Sequence, residues 1–417
     1  MSVMIPFKEF PQRLKGTALF YALLITTLIG ILLTALISIW MYYRGAHQRD
    51  IAIWENIESV ESAFLYAQSQ ERTIDQEYFP FTTDSILMTK RPWGFFELIS
   101  CTPVAPSSSA ITKTALIGRK SPAHTCLEML DTRKALALSG TSQLVGRAIV
   151  PRGGITTTTV NGVPFQAGQA IIGSSSSGDG TLPSLDLDVL NNQQSSFDHE
   201  QYTIRELGDS FHLSFNQIPI LIKGKVLELE RQNWYGPIVL EADSLIRIGE
   251  NARLNGLILR APSIEIDTGF TGQLQAIASL EISLGTQVYL TYPSVLAILP
   301  KSGFSRRQSG RLRIGKECKI EGTVLGLKNS TNDDQQLLAT LQQTALQGRV
   351  IWQGGLEFSG QITGSVYCDN FFYRGNSGQF FFNYLVNGRI DAPSRSQHWV
   401  EPMIWNTGNK AVAQWLD

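Results

Sequence analysis

Three similar stretches, SLIRIG, SIEID and SLEIS, place Arg247, Glu265 and Glu281 at outward positions of what read as successive repeats. Two stacked carboxylates beside a basic residue are the groups a polysaccharide-cleaving protein needs, because its acid and its base must flank one sugar bond. The plainer alternative is a surface ladder in which Arg247 offsets the repulsion between the acids. No basic or aromatic residues cluster around the three in sequence, so the ladder is favoured and glycan contacts belong only to the alternative. Asp186 and Asp188 in LDLDVL put two carboxylates on one strand face, a weak divalent-ion pattern better explained by solvation. His124 with Cys126, and Asp198 with His199 and Glu200, lack a second cluster at ligand spacing, and no metal site is expected. GSSSSGDG has no following lysine to place on a phosphate. The histidines at 47, 124, 199, 212 and 398 lie apart and no G-x-S-x-G elbow occurs, so no catalytic residue and no cofactor is expected.

The 417 residues include 35 basic and 36 acidic side chains, a net charge of -1 that gives no reason to expect nucleic acid as a partner. Only 17% of the chain is charged and 36 residues are glycine, a balance suited to short strands and turns. Cys101, Cys126, Cys318 and Cys368 form no CxxC pair. A Cys101 to Cys126 disulfide is allowed if this part is exported.

The elements that must position these residues begin with an anchor. From Thr17 to Tyr43 no residue is charged, and at about 1.5 Å per residue this span makes a helix of about 40 Å, enough to cross a bilayer core of about 30 Å. It ends in SIWMYYRG, an interfacial aromatic belt, rather than at a small-x-small cleavage site. Lys8, Arg13 and Lys15 precede it, while Arg44 and Arg49 after it are soon followed by Asp50, Glu55, Glu58 and Glu61, a modest bias that favours a cytoplasmic N-terminus. Ile53, Ile57, Val60 and Phe64 recur at helical spacing, so the helix is expected to continue into water as a stem. Thr26, Thr27, Gly30, Thr34, Ala35 and Ser38 are small enough to let another helix approach closely in lipid.

Lys15, Gly16 and Thr17 resemble the junction of the pilin and pseudopilin class, in which a prepilin peptidase cuts after a glycine that ends a short basic leader. The resemblance implies Thr17 as the first mature residue. Tyr21 then holds the fifth mature position, where most major pilins carry Glu, a departure similar to minor pilins and tip pseudopilins. A plain signal anchor is the alternative.

Beyond the stem, PWGFFELISCTP and SAITKTALIG predict two strands joined by PVAPSSS. Then SQLVGRAIV, ARLNGLILR, CKIEGTVLG and GQITGSVYC share an apolar residue, a spacer and a glycine, at Gly146, Gly256, Gly322 and Gly364. Between 238 and 299 the units repeat at about 16 to 19 residues, a period that fits one coil of a parallel β-helix. GENARLNGLIL and GKECKIEGTVLG resemble bactofilins and other polymer-forming β-helical proteins. With LALSGTSQLVGRAIVPRGG and YLTYPSVLAILP, the layout is similar to a group of bacterial envelope proteins.

The expected fold is mainly β: a transmembrane helix continuing into a long stem helix, then a parallel β-helix (solenoid) ectodomain with insertions. Its expected segments are a leader (1–16), a transmembrane helix (17–43), a stem and linker (44–75) and a small β unit (76–130). First rungs (131–172), a linker (173–215) and the main β-helix (216–327) follow. An inserted helix or loop (328–347), predicted from Leu337, Leu341 and Ala345, leads to terminal rungs with an aromatic cap (348–417). The expected role is a noncatalytic, single-pass protein of a bacterial inner membrane with its C-terminal part periplasmic. Its partners would be the membrane and other envelope or pilus-like subunits, and a homo-oligomer is compatible with this reading. A membrane-tethered polysaccharide-binding or polysaccharide-cleaving β-helix is the alternative.

Overall fold

A computed structural model describes residues 14–79, 85–104, 111–120, 125–178, 199–299, 310–328, 336–375, 377–396, 399–405 and 408–416, with side chains from Thr17 onward. It is mainly β, 57% strand, with one long apolar helix near the N-terminus. That helix, α1, spans Leu14–Ser69. No proline interrupts it, and its leucines and alanines are strong helix formers. Its side chains are exposed through Tyr43, and burial begins only at Asn56, Val60, Ala63, Phe64 and Ala67, one stripe at helical spacing.

That stripe rests on an antiparallel sheet of five strands, in the order Ile74–Tyr78, Ile86–Trp93, Phe96–Pro103, Lys113–Lys120 and Asn409–Leu416. Period-two alternation sends its side chains to two different cores. Ile99, Cys101, Ala115 and Ile117 pack with Val60 and Phe64 of the helix, while Phe96, Leu98 and Leu116 point the other way. There they meet Leu221, Val239, Ile258, Val295, Leu325 and Ile351 from a second, parallel sheet. The order of layers is therefore helix, antiparallel sheet, parallel sheet.

In the parallel sheet Ile220 pairs with Ile238, Leu240 with Leu259 and Ile264 with Ile282, an offset of about 18 residues. The pairings also close on themselves. Thr271–Leu284 pairs with Tyr289–Ile298, that with Lys319–Gly326, that with Leu337–Arg374, that with Gly310–Ile314, and that again with Thr271–Leu284. This five-strand, barrel-like ring encloses part of the main apolar core, including Ile282, Leu290, Leu296, Leu312, Ile320 and Val324. The recurring glycine has a steric cause at one corner of this body. A Cβ on Gly364 would run into the carbonyl oxygen of Gly348, one on Gly348 into that of Gly322, and one on Gly322 into that of Ser294.

Several expectations change here. Residues 337–347 are strand, not helix. Leu337 and Leu341, four apart, share the inward face of a strand as they would one face of a helix, whereas Ala345 is exposed because the alternation shifts at Gln342 and Gln343. Burial of Ala339 between Leu337 and Leu341 is what marks the period of two. Part of the expected linker is also strand, namely Ile171–Ser177, Glu200–Tyr202 and Ser210–His212, whereas Asp186, Asp188 and Asp198 lie outside the described residues, as do His124 and His398.

The strands at 125–177 do not precede the later ones in space. Thr125–Met129 pairs with Leu337–Arg374 at Val366, Leu136–Ser139 with Tyr384–Val386, and Gln143–Val150 with Gly388–Asp391. Ile171–Ser177 then pairs with Gln143–Val150. Because these strands stack beyond residues 384–391, the aromatic stretch near 380 is not a terminal cap. Phe380–Phe382 folds back antiparallel on Phe372–Arg374, leaving the Phe380 and Phe382 rings exposed.

Candidate functional site

The feature that the fold singles out is the exposed stem and the seat that holds it. Residues 17–69 contain a window of mean hydropathy 2.5 with none of it buried, long and apolar enough to cross a membrane. Lys15 and Gly16 lie in the first turn of α1, Thr17 is exposed just after them, and the remaining leader residues 1–13 lie outside the described residues. The hydroxyls of Thr26, Thr27, Thr34 and Ser38 within the span are satisfied by the helix itself. Thr26 donates to Leu23 O at 2.9 Å, Thr27 to Leu24 O at 2.9 Å, Ser38 to Thr34 O at 2.8 Å, and Thr34 to Gly30 O. The helix therefore carries these groups into an apolar phase without an orphaned donor. At Gly30 a Cβ would meet nothing within 4 Å, and Thr26, Gly30, Thr34 and Ser38 follow one another at i+4, flanked by Thr27 and Ala35. Arg44 stacks over Trp40 at 5.2 Å where the span ends.

The lower end of α1 runs into a charged node. Its last carbonyls carry the negative end of the helix dipole. Just past Ser69, Gln70 O accepts hydrogen bonds from Lys90 and, at 2.8 Å, from Lys410. Lys90 stands 3.1 Å from Glu97, and Lys410 stands 3.4 Å from Glu97 and 3.0 Å from Glu71, which Arg119 approaches at 3.5 Å. The Lys90 side chain is 1% exposed. Burial pushes its ammonium down to about 8, neighbouring Lys410 adds to that, and Glu97 opposes it.

The sign for stability follows from proton counting. Between about pH 8 and the ordinary lysine value near 10.4 the unfolded chain holds the extra proton at this group, so the contribution of Lys90 to stability rises with pH through that window. From pH 7.5 to 9.5 the thermal midpoint of the detergent-solubilised wild-type chain should therefore gain on that of Lys90→Met, while the buried thiols, which ionise only in the unfolded chain, pull both midpoints down alike. A difference between wild type and Lys90→Met that stays constant or shrinks across the interval speaks against this assignment.

A second buried group ties the two sheets together. The segment 399–405 pairs Glu401 with Arg119 through two backbone hydrogen bonds of 2.8 Å, and Met403 N donates to Phe95 O at 2.7 Å. The Glu401 carboxylate, 1% exposed, sits between Arg395 and, at 3.1 Å, Arg349. Arg349 lies over the Trp405 ring at 4.8 Å and donates to Ser365 Oγ at 2.8 Å. Tyr292 donates to Val400 O at 2.9 Å. Trp399, Trp405 and Trp415 therefore serve this junction and the seat, not the end of the stack.

Arg247, Glu265 and Glu281 are not brought together as a trio. Arg247 faces Glu265 in register and bonds it at 2.8 Å, with Glu228 at 3.8 Å on the other side. Glu281 aligns with Ser263, not Glu265, and pairs with Arg313 at 2.9 Å. Aligning the stretches on their serines gives Glu265 and Glu281 the same register, whereas the strands pair Ile264 with Ile282 and so separate the two acids by two positions. Exposed pairs of this kind, screened by water, contribute little to stability.

All four cysteines are buried free thiols. Cys101 faces the helix-side core and Cys126 the core of the parallel sheet, so the two do not form the bridge that the sequence allows. Burial pushes their thiols up to about 12 and about 11. Among the described residues no group of three or more His, Cys, Asp or Glu is arranged to hold a metal ion.

Sequence reasoning missed Lys90, Glu97, Lys410 and Glu401. The one available signal was charge inside otherwise apolar strands, as in MTKRPWGFFELIS. No protein-family model, curated protein or solved structure matches this chain.

Proposed function

We propose that this chain is a noncatalytic, single-pass protein of a bacterial inner membrane, with its N-terminus cytoplasmic and its β body on the far side. In this reading it is a minor component, similar to minor pilins and pseudopilins, or a scaffold, in a pilus-like or secretion-like assembly. The observation that carries the reading is the division of one helix into two parts. α1 is bare from Thr17 to Tyr43 and seated only from Asn56 onward, so an uncharged rod projects from a rigid body. An apolar rod with self-satisfied hydroxyls and an open groove at Gly30 suits lipid and close approach by another helix.

The parallel sheet is read as a β-helix, supported by its offset of about 18 residues and by its stacked glycines. Its outermost strands put polar residues at inward positions: Ser175 and Ser177 lie over Ala148 and Val150, and Glu200 and Tyr202 over Ile220 and Ile222. Polar end repeats favour a closed column over end-to-end filament growth. In the polysaccharide alternative the two acids would have to act on one bond, yet each is paired with its own arginine.

The test is processing. In its native membrane the wild-type protein is expected to have a mature mass that starts at Thr17, and Gly16→Leu is expected to leave the uncut chain. An identical mature mass in both forms contradicts the pilin-like reading.

A further inference from the structure

The strand Asn409–Leu416 lies at an edge of the antiparallel sheet and, among the described residues, pairs only with Lys113–Lys120. An edge strand adds least to a sheet, yet this one touches both neighbouring layers. Lys410 is 7% exposed and bonds Gln70 O and Glu71 just past the end of α1, and Gln68 Nε2 donates to Lys410 O at 2.8 Å. The Trp415 ring lies 5.0 Å from Phe64, and the Lys113 ammonium lies 5.7 Å from the Trp415 ring. On the opposite side Gln414 accepts a hydrogen bond of 2.6 Å from Gln273 of the parallel sheet.

A bulge makes this double contact possible. Val412 pairs with Ile117 and Gln414 with Leu116, so one extra residue reverses the alternation between them. Without it, Gln414 would share the helix side with Lys410 and Val412, and Trp415 would face away from Phe64.

We propose that the strand Asn409–Leu416 is a latch that holds the stem helix on the body, and that its release frees the α1 end from its seat. The stem's other seat contacts include apolar packing from residues 74–117, Lys90 on Gln70 O, Arg119 near Glu71 and Lys113 on Glu61. The seat is therefore complete only when a strand from the opposite end of the chain has joined the sheet. A partner strand that competes for Lys113–Lys120 would displace the latch and let the stem move relative to the body, which gives an assembly a way to reorient this subunit.

Hydrogen exchange on the full chain in detergent micelles tests the latch. Lys410→Met combined with Trp415→Ala should speed amide exchange in residues 60–69 by about tenfold or more, while residues 238–298 keep wild-type protection. Truncation after Gly408 should give the same result in a stronger form. If residues 60–69 keep wild-type protection in the double variant, the proposal is overturned, whatever the truncated chain does. If protection is lost throughout in the truncated chain, the double variant alone decides.

Discussion

Glu401→Ala is expected to destabilise the protein by about 3 to 5 kcal/mol, a large share of the roughly 5 to 15 kcal/mol that holds a typical domain together. The carboxylate lies between Arg395 and Arg349, and all three side chains are largely withdrawn from water. Burial pushes the Arg349 guanidinium down, Glu401 pulls it back up, and Arg395 lowers it further. Removing the acid thus leaves two like charges facing each other with little solvent to screen them. The effect should also be local in origin, because Glu401 joins the antiparallel sheet to the parallel one through Arg119 and Arg349. Glu401→Gln should retain part of the stability through hydrogen bonding. Replacing all three by apolar residues of similar volume should recover most of it, as buried ion pairs are costly to assemble. Chemical denaturation of the full chain, followed by near-ultraviolet dichroism, measures each difference. A midpoint for Glu401→Ala within about 1 kcal/mol of wild type rules out a buried triad.

Gly348→Val is expected to prevent accumulation of folded protein. Gly348 has φ +139°, a region where side chains are strained, and its Cβ would collide with the backbone oxygen of Gly322. No rotamer change relieves a collision with backbone, so the strands themselves would have to part. Because Gly364 stands on Gly348 as Gly348 stands on Gly322, the damage spreads through neighbouring pairings. Gly162→Val is the control, since Gly162 has φ +81° with nothing within 4 Å of a Cβ, so valine meets backbone strain there without a collision. Comparing soluble yield and thermal midpoint for the two variants separates a steric cause from a purely conformational one. Equal behaviour would remove the case for a stacked glycine column.

The local elements were largely legible before any coordinates. An uncharged run of this length ending in Trp40, Tyr42 and Tyr43 specifies a long apolar helix by composition alone, and Val60 and Phe64 marked the face that becomes buried. The glycines at 322 and 364 marked positions where backbones approach, though the sequence did not reveal that Gly348 completes the column. Partner choice was the harder part. Nothing in NKAVAQWL indicates that it pairs with KTALIGRK, and nothing near Leu144 indicates pairing with Ile390 in place of the next strands in the chain. Those choices depend on which surfaces remain open once the nearer strands have paired, a property of the assembled layers. The candidate site suffered for the same reason, because its charges come from strands far apart in sequence and meet only at the end of α1.

In the proposed reading residues 17–43 of α1 stay in a membrane while residues 56–69 seat the same helix on the β body. Alkaline extraction of native membranes followed by N-terminal sequencing of the retained protein tests it most directly. The protein is expected to stay in the membrane fraction with Thr17 at its N-terminus. A soluble protein whose sequence starts beyond Tyr43 would contradict it.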